Sequence, residues 1–90
     1  MDITQVPRQN PDTAARKIQD STYVLDPETS ALHTFDAVGQ RIWDLVDGER
    51  TIADIVHVIQ DEYEVDAETA EADVVEFLGD LVTKGLVTVS

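Results

Sequence analysis

The pattern of apolar and polar positions divides the chain into a strand-rich first part and a helical second part. Residues 13–18 are a weak strand candidate, and residues 21–25 are a stronger one because they are rich in β-forming side chains. Residues 31–35 alternate again, after a polar turn at residues 26–30 in which aspartate precedes proline. The pattern therefore predicts a hairpin that the weaker strand extends to a three-stranded antiparallel sheet.

Three later stretches repeat their apolar residues with the period of a helix. A capping residue precedes each of them: Asp36, Thr51 and Asp66. Thr51 is followed by Asp54 in a weaker form of the capping box, and a glycine follows the first and the third stretch. Three helices are predicted, over residues 37–46, 52–63 and 67–84, with a short terminal strand at residues 86–89.

The predicted helices carry apolar stripes that would form the core. The stripe of the second helix runs from Ile52 to Tyr63. Beside the central stripe of the third helix, Val75, Leu78 and Val82 widen the apolar face to one side, at about 100° per residue. The central stripe itself consists of Ala70, Val74, Phe77 and Leu81.

The order of three strands and then three helices indicates an α+β fold, a three-stranded antiparallel sheet followed by a three-helix, winged-helix-like bundle. Ninety residues suffice for one domain with a small apolar core. Residues 13–90 are expected to form that domain. Residues 1–12 are polar, contain Pro7 and Pro11 and show no period, so they are expected to be a flexible N-terminal arm.

The charge of the chain narrows its range of partners. Its net charge is −13, and residues 51–83 contain ten acidic residues and no lysine or arginine. Such a surface repels nucleic-acid phosphates, because their binding requires Lys and Arg to displace counterions. It would attract a basic peptide or a basic protein surface. The simpler interpretation, that the charge keeps a small domain soluble, stays open.

The sequence contains no arrangement of residues typical of an active site or a metal site. Cysteine is absent, and His33 and His57 lie outside any metal-binding spacing. The carboxylates of the third helix, such as Glu68 and Glu76, are interpreted as a solvated face rather than a catalytic pair. No stretch is long and apolar enough to span a membrane, and residues 1–10 have neither the basic nor the apolar region of a signal peptide, so neither is expected. We expect a cytoplasmic protein that is not an enzyme, with no catalytic residue, cofactor or metal.

An exposed sheet edge is the binding site that the predicted fold offers. Unpaired backbone N–H and C=O groups there can accept an extended peptide as an added strand. Val75, Leu78 and Val82 on the third helix would supply a groove beside that strand. They could equally pack under the sheet or the terminal tail, and the pattern leaves both interpretations open. The same edge could also pair two copies of the chain into a homodimer.

The residues also resemble those of the PqqD family. The shared pattern is a hairpin, then Gly–x–x–Ile–Trp, then Asp–Gly–x–x–Thr, and the likeness covers about residues 13–89. The residues that carry it are Val24 to Thr29, Leu32 to Asp36, Gly39, Ile42, Trp43, Leu45, Asp47, Gly48, Arg50 to Ile52, Asp73, Val74, Phe77, Leu78, Leu81 and Gly85 to Val87.

The resemblance implies a RiPP recognition element, a domain that binds the leader segment of a ribosomally made precursor peptide. In that family the leader adds as a strand beside the third strand and against the third helix, here residues 32–35 and 67–84. Members occur as free proteins and as fused domains, and at ninety residues this chain is expected to be free-standing. Its partners would be a precursor peptide and a separate modifying enzyme, either a radical S-adenosylmethionine enzyme or a leader peptidase.

The sequence therefore predicts a noncatalytic adaptor with a two-sided peptide site. Glu71 would select a basic leader side chain, and Leu78→Arg would abolish peptide binding while leaving the fold largely intact. Two alternatives stay open: a winged-helix transcriptional regulator, and a structural subunit that only binds its enzyme. The residues predicted to bind the peptide are Leu32, His33, Thr34 and Phe35 on the strand, and Glu71, Val74, Val75, Leu78 and Val82 on the helix.

Overall fold

The computed structural model describes residues 2–11, 13–18, 21–25 and 32–90. The predicted turn at residues 26–30, and Ala31 of the predicted strand, lie outside these residues. Within them the chain forms three helices and two small antiparallel sheets, which agrees with the predicted α+β class. The elements are β1 (Pro7–Gln9), β2 (Ala14–Ile18), β3 (Ser21–Leu25), β4 (Leu32–Thr34), α1 (Ala37–Leu45), α2 (Ile52–Tyr63), α3 (Ala67–Thr83) and β5 (Val87–Val89).

The larger sheet has the strand order β2-β3-β4, and both pairs of neighbours are antiparallel. Val24 of β3 lies opposite His33 of β4, and Leu25 lies opposite Leu32. Because Val24 is fully buried, the face with Val24 and His33 turns to the core, and Leu25 and Leu32 lie on the outer face. The strand β4 is therefore an edge strand with one face toward the helices.

A second sheet, absent from the sequence-based expectation, joins the N-terminal segment to the C-terminal strand. β1 pairs antiparallel with β5, and Val6 and Ser90 exchange backbone hydrogen bonds of 2.9 and 3.2 Å. Pro7 is fully buried, and its carbonyl accepts a hydrogen bond of 3.1 Å from the N–H of Gly48. The expectation of a flexible arm is corrected for this segment. Its residues do not alternate and its partner lies at the far end of the sequence, so no local pattern reveals the pairing.

Side chains cap the N-termini of α1, α2 and α3 at the predicted positions. Oδ1 of Asp36 accepts a hydrogen bond of 2.7 Å from a backbone N–H in the first turn of α1. Thr51 and Asp54 exchange hydrogen bonds of 3.1 and 3.0 Å, which completes the capping box. Hydrogen bonds from the side chain and backbone of Thr69 hold the pKa of Asp66 below its ordinary value. These contacts are local, so the sequence reveals the helix starts directly.

The core lies between the helices and the inner face of the larger sheet, with β5 closing it from the second sheet. The stripe of α2 is buried as predicted from Ile52 to Ile59, but Tyr63 is 40% exposed, which corrects its predicted place in the core. Tyr63 is the last residue of α2, where Glu64 turns the chain with a left-handed φ of 52°. The buried apolar residues are Val24, Ile42, Trp43, Leu45, Val46, Ile52, Ile55, Val56, Ile59, Ala70, Val74, Leu78, Leu81, Leu86 and Val87.

The burial of Phe77 and Leu78 of α3 is the reverse of what the apolar pattern predicts. Leu78 is fully buried, at 0% exposure, whereas Phe77 is only partly buried against the core. The two side chains flank the stripe that contains Val74 on opposite sides, by about 40° for Leu78 and about 60° for Phe77. The periodicity of the sequence does not determine which flank is buried. The packing of α3 on α2 and β5 determines it, and it buries the flank with Leu78. The expectation that Leu78→Arg would leave the fold intact is therefore corrected.

Two helical glycines are expected to respond in opposite directions to replacement by alanine. A Cβ on Gly79 of α3 would meet no atom within 4 Å, so Gly79→Ala should raise the free energy of unfolding by about 1 kcal/mol through helix propensity. A Cβ on Gly39 of α1 would lie 2.9 Å from Cε1 of Phe77 and 3.3 Å from Cβ of Phe35. Gly39→Ala should therefore lower the free energy of unfolding by about 1 kcal/mol or more. Urea unfolding measures both variants, and a stabilised Gly39→Ala protein would contradict the tight contact.

Candidate functional site

A cleft of about 250 Å³ opens between the end of β4 and the last turns of α3. Three of the four residues predicted at the strand edge line it, and Leu32 does not. The helical wall is formed by side chains that the sequence analysis did not assign to the site. The lining residues of this β4–α3 cleft are His33, Thr34, Phe35 and Asp36 on the strand side, and Phe77, Asp80, Leu81 and Lys84 on the helix side.

Aromatic rings form the apolar wall of the β4–α3 cleft. The ring centroids of Phe35 and Phe77 are 5.1 Å apart, and the rings meet edge to face at 77°. On its other side Phe35 contacts the buried Trp43, with 5.7 Å between the centroids. Aromatic pairs in such arrangements are favourable beyond the area that they bury. The buried tryptophan therefore holds Phe35, and Phe35 in turn holds Phe77, at the mouth of the cleft.

Gly39 explains how close α1 and α3 come at this point. The space that its side chain would occupy is taken by the ring of Phe77, 2.9 Å from the position of a Cβ. The same space borders Oδ1 of Asp36, the residue that caps α1, at 3.1 Å. The absence of a side chain at residue 39 therefore lets Phe77 lie against the start of α1 and beside the strand.

A larger open depression of about 810 Å³ continues the cleft between α1 and α3. It shares Asp36, Phe77 and Asp80 with the β4–α3 cleft, so the two form one continuous surface. Apolar residues of α1 form its floor, and carboxylates stand on its rim. The residues that line this depression are Asp36, Val38, Gly39, Ile42, Asp73, Glu76, Phe77, Gly79, Asp80 and Thr83.

The electrostatic character of this surface is acidic. Among the described residues that line the cleft and the depression, Lys84 is the one lysine or arginine. Its Nζ lies 2.8 Å from Oδ2 of Asp80, and both side chains are exposed, so this ion pair contributes little free energy. Asp36, Asp73 and Glu76 add further negative charge along the same surface. A partner that fits here gains from carrying a positive charge.

The outer edge of β4 carries an exposed apolar residue. Leu32 is 62% exposed, and Leu25, its cross-strand neighbour, is 41% exposed. Within the described residues β4 pairs only with β3, so the opposite edge of β4 has backbone groups available for a further strand. A strand added there would pass between two apolar surfaces, one at Leu32 and one at the aromatic wall of the cleft.

The helix residues of the predicted site do not lie together with the strand. Val74 and Leu78 are fully buried in the core. Glu71, Val75 and Val82 lie about 120–160° around the α3 axis from Phe77, on the side away from β4. The sequence does contain a signal for the face of α3 that lines the cleft, because Phe77, Asp80 and Lys84 are spaced at i, i+3 and i+7 and so share one side of the helix. The apolar pattern assigned Phe77 to the core instead.

The described residues contain no group of three or more histidine, aspartate or glutamate side chains placed to hold a metal ion. Among their helices, none combines the length and the apolar character that crossing a lipid bilayer demands.

The fold and the cleft define a small α+β domain in which an open strand edge faces the third helix. The family model described as coenzyme PQQ synthesis protein D (PqqD) matches residues 22–87, which is well over half of the chain. The chain therefore belongs to the PqqD family, as the sequence resemblance indicated.

Solved structures of other proteins share the fold of this chain. The chain is similar to TbiB1 in complex with the TbiA(beta) leader peptide, with 34% identity, a TM-score of 0.82, and coverage of 89% of this chain and 93% of that chain. It is also similar to the PqqD truncation of Methylobacterium extorquens PqqCD, a stand-alone RiPP recognition element, with 26% identity, a TM-score of 0.74, and coverage of 92% and 88%.

A lasso peptide synthetase B1 complexed with its leader peptide shares the fold, with 20% identity, a TM-score of 0.81, and coverage of 91% of this chain and 96% of that chain. The comparison with curated proteins gave no match.

Proposed function

We propose that this chain is a noncatalytic adaptor that binds the leader of a ribosomally made precursor peptide and presents it to a separate modifying enzyme. The observation that carries the proposal is the open edge of β4 directly beside a cleft with an aromatic wall. Two solved structures to which the chain is similar hold a leader peptide, and a third is a RiPP recognition element. The modifying enzyme would be a radical S-adenosylmethionine enzyme or a leader peptidase.

The leader would bind by strand addition along β4. Main-chain hydrogen bonds to the open edge would supply affinity that is independent of sequence, and side-chain contacts would supply specificity. Because side chains of a strand alternate, every second leader side chain would enter the cleft against Phe35 and Phe77. The side chains between them would lie beside Leu32 on the outer face, so we expect apolar leader residues on both faces.

The acidic rim would select the charge of the leader. A leader strand that continues from β4 toward α1 passes Asp36, Asp73 and Glu76 at the open depression. A lysine or arginine there would place its aliphatic stem over the apolar floor and its charge at the rim. This assigns the selection of a basic side chain to these residues instead of Glu71. A linear leader loses about 2–5 kcal/mol in ordering, which favours micromolar or high-nanomolar affinity.

We propose that α1–α3 with β5 are arranged as in a winged helix, since a short strand follows the third helix and pairs antiparallel with β1. The acidic residues of α3 disfavour the duplex DNA binding of winged-helix regulators. The proposed place of action is the cytoplasm, where a ribosomally made precursor is first available.

The test is titration of the chain with the leader of the precursor peptide encoded with it, followed by amide chemical shifts. We expect saturable binding, with the largest shifts at Thr34, Phe35 and Phe77, and no binding of a scrambled leader of the same composition. The absence of binding at about 100 µM leader would contradict the proposed function. Binding with shifts confined to α2 would contradict the proposed site.

A further inference from the structure

A second cleft, of about 440 Å³, lies on the side of α3 that faces away from β4. It is bounded by the segment before β1, by α2 and by the first turns of α3. Ile3, Ala53, Val56 and Ala67 contribute apolar side chains to its lining, Glu68 and Glu71 stand at its edge, and His57 and Gln60 of α2 complete it. We call it the α2–α3 cleft. It shares no lining residue with the β4–α3 cleft or with the depression beside it.

The N-terminal segment is held in place at this cleft by backbone hydrogen bonds. The N–H of Ala53 donates to the carbonyl of Ile3 at 2.9 Å, and the N–H of Ile52 donates to the carbonyl of Gln5 at 3.0 Å. These are N–H groups of the first turn of α2, which have no partner inside the helix. The segment satisfies them and places Ile3, which is 36% exposed, at the mouth of an apolar cleft.

The charge around the α2–α3 cleft is negative and uncompensated. Two acidic side chains elsewhere on the helices have basic partners: Glu62 lies 2.8 Å from Arg41, and Asp80 lies 2.8 Å from Lys84. Among the described residues, neither Glu68 nor Glu71 forms an ion pair, and both are exposed. An apolar cleft with an acidic edge is complementary to a surface on which an apolar side chain is surrounded by lysine or arginine.

We propose that the α2–α3 cleft docks the modifying enzyme through a basic surface patch that carries an apolar anchor residue. This inference rests on the proposed function, because an adaptor must bind the enzyme while the edge of β4 holds the leader. Placement on opposite sides of α3 allows both partners to bind at once. A second copy of this chain fits the cleft poorly, since each copy has a net charge of −13 and the copies repel.

A probe of stated chemistry tests the surface without the enzyme. The probe is a short amphipathic helix of leucine and lysine, and its control is the same peptide with glutamate in place of lysine. We expect amide shift changes from the lysine peptide at Ala53, His57 and Glu71, with none at Thr34 or Phe35, and none from the control. Shifts of equal size over every acidic surface, or strongest shifts at β4, would overturn the proposal.

The second experiment uses the purified modifying enzyme encoded with this chain, in the presence of saturating leader. Glu71→Lys and Ile3→Ser should each weaken enzyme binding by about tenfold. The matched control is Glu49→Lys, which makes the same change in net charge on an exposed residue outside the cleft. It should change enzyme binding by less than about twofold, and all three variants should bind leader as the unaltered chain does.

The outcomes separate this inference from the proposed function. Loss of enzyme binding in Glu49→Lys as large as in Glu71→Lys, or unchanged binding in both cleft variants, would overturn the docking site. Loss of leader binding in Glu71→Lys would overturn the separation of the two surfaces. Failure of the unaltered chain to bind leader is a different readout, and it contradicts the proposed function instead.

Discussion

Leu78→Ala should lower the free energy of unfolding by about 2–5 kcal/mol, and Leu78→Arg should leave no cooperatively folded domain. The side chain of Leu78 is fully buried in the core, where α3 packs on α2 and β5. Alanine would leave a cavity at this position, and arginine would place an unpaired charge in it. Small domains are stabilised by about 5–15 kcal/mol in total, so the arginine variant loses most or all of that margin.

Urea unfolding of Leu78→Ala, followed by circular dichroism, measures the first effect, and the loss of a cooperative transition in Leu78→Arg shows the second. Val82→Ala is the matched control, because Val82 is only partly buried on the same side of α3. It should cost less than Leu78→Ala. A folded Leu78→Arg protein that fails to bind leader would restore the site predicted from the sequence and contradict the orientation of α3 described above.

Phe77→Ala should weaken leader binding by about thirtyfold, or about 2 kcal/mol, as expected for an aromatic residue at the centre of a binding site. Phe77 lines both the β4–α3 cleft and the adjoining depression, and its ring packs edge to face on Phe35. Removing the ring takes away the apolar wall that an added strand would contact. Since Phe77 is only partly buried, we expect the variant to remain folded.

Val75→Ala is the matched control for Phe77→Ala. Val75 is also partly buried on α3, but it lies about 160° around the helix axis from Phe77. Isothermal titration with the leader should give Val75→Ala an affinity within about twofold of the unaltered chain. Equal losses in both variants would show that binding depends on the stability of α3 as a whole. A loss in Val75→Ala alone would place the leader on the face of α3 that the apolar pattern predicts.

The two faces of α3 illustrate how far the sequence can locate the proposed site. The alternation at residues 31–35 predicts a strand edge, and three of the four residues assigned to that edge line the β4–α3 cleft. Glu71, Val75 and Val82, assigned to the site from the sequence, lie most of a half-turn of α3 away from that cleft. When an apolar stripe has extra apolar residues beside it, either of its two flanks can face the core. Rotation of α3 about its own axis decides which flank is buried. That rotation depends on neighbours that are distant in sequence.

The class of the fold, the helix starts and the family can be predicted from the sequence alone, because short stretches of residues carry the signals for them. A cap such as Thr51 with Asp54 acts over a single turn, and the strand at residues 21–25 reflects the preferences of its own side chains. The pairing of β1 with β5 and the position of Ile3 at the α2–α3 cleft depend on contacts between segments far apart in the chain. The same holds for the aromatic contact of Phe77 with Phe35, which only the folded chain brings about. The acidity is visible in the composition, but only the packing of the helices distributes it between the β4–α3 cleft with its adjoining depression and the α2–α3 cleft on the other side of α3.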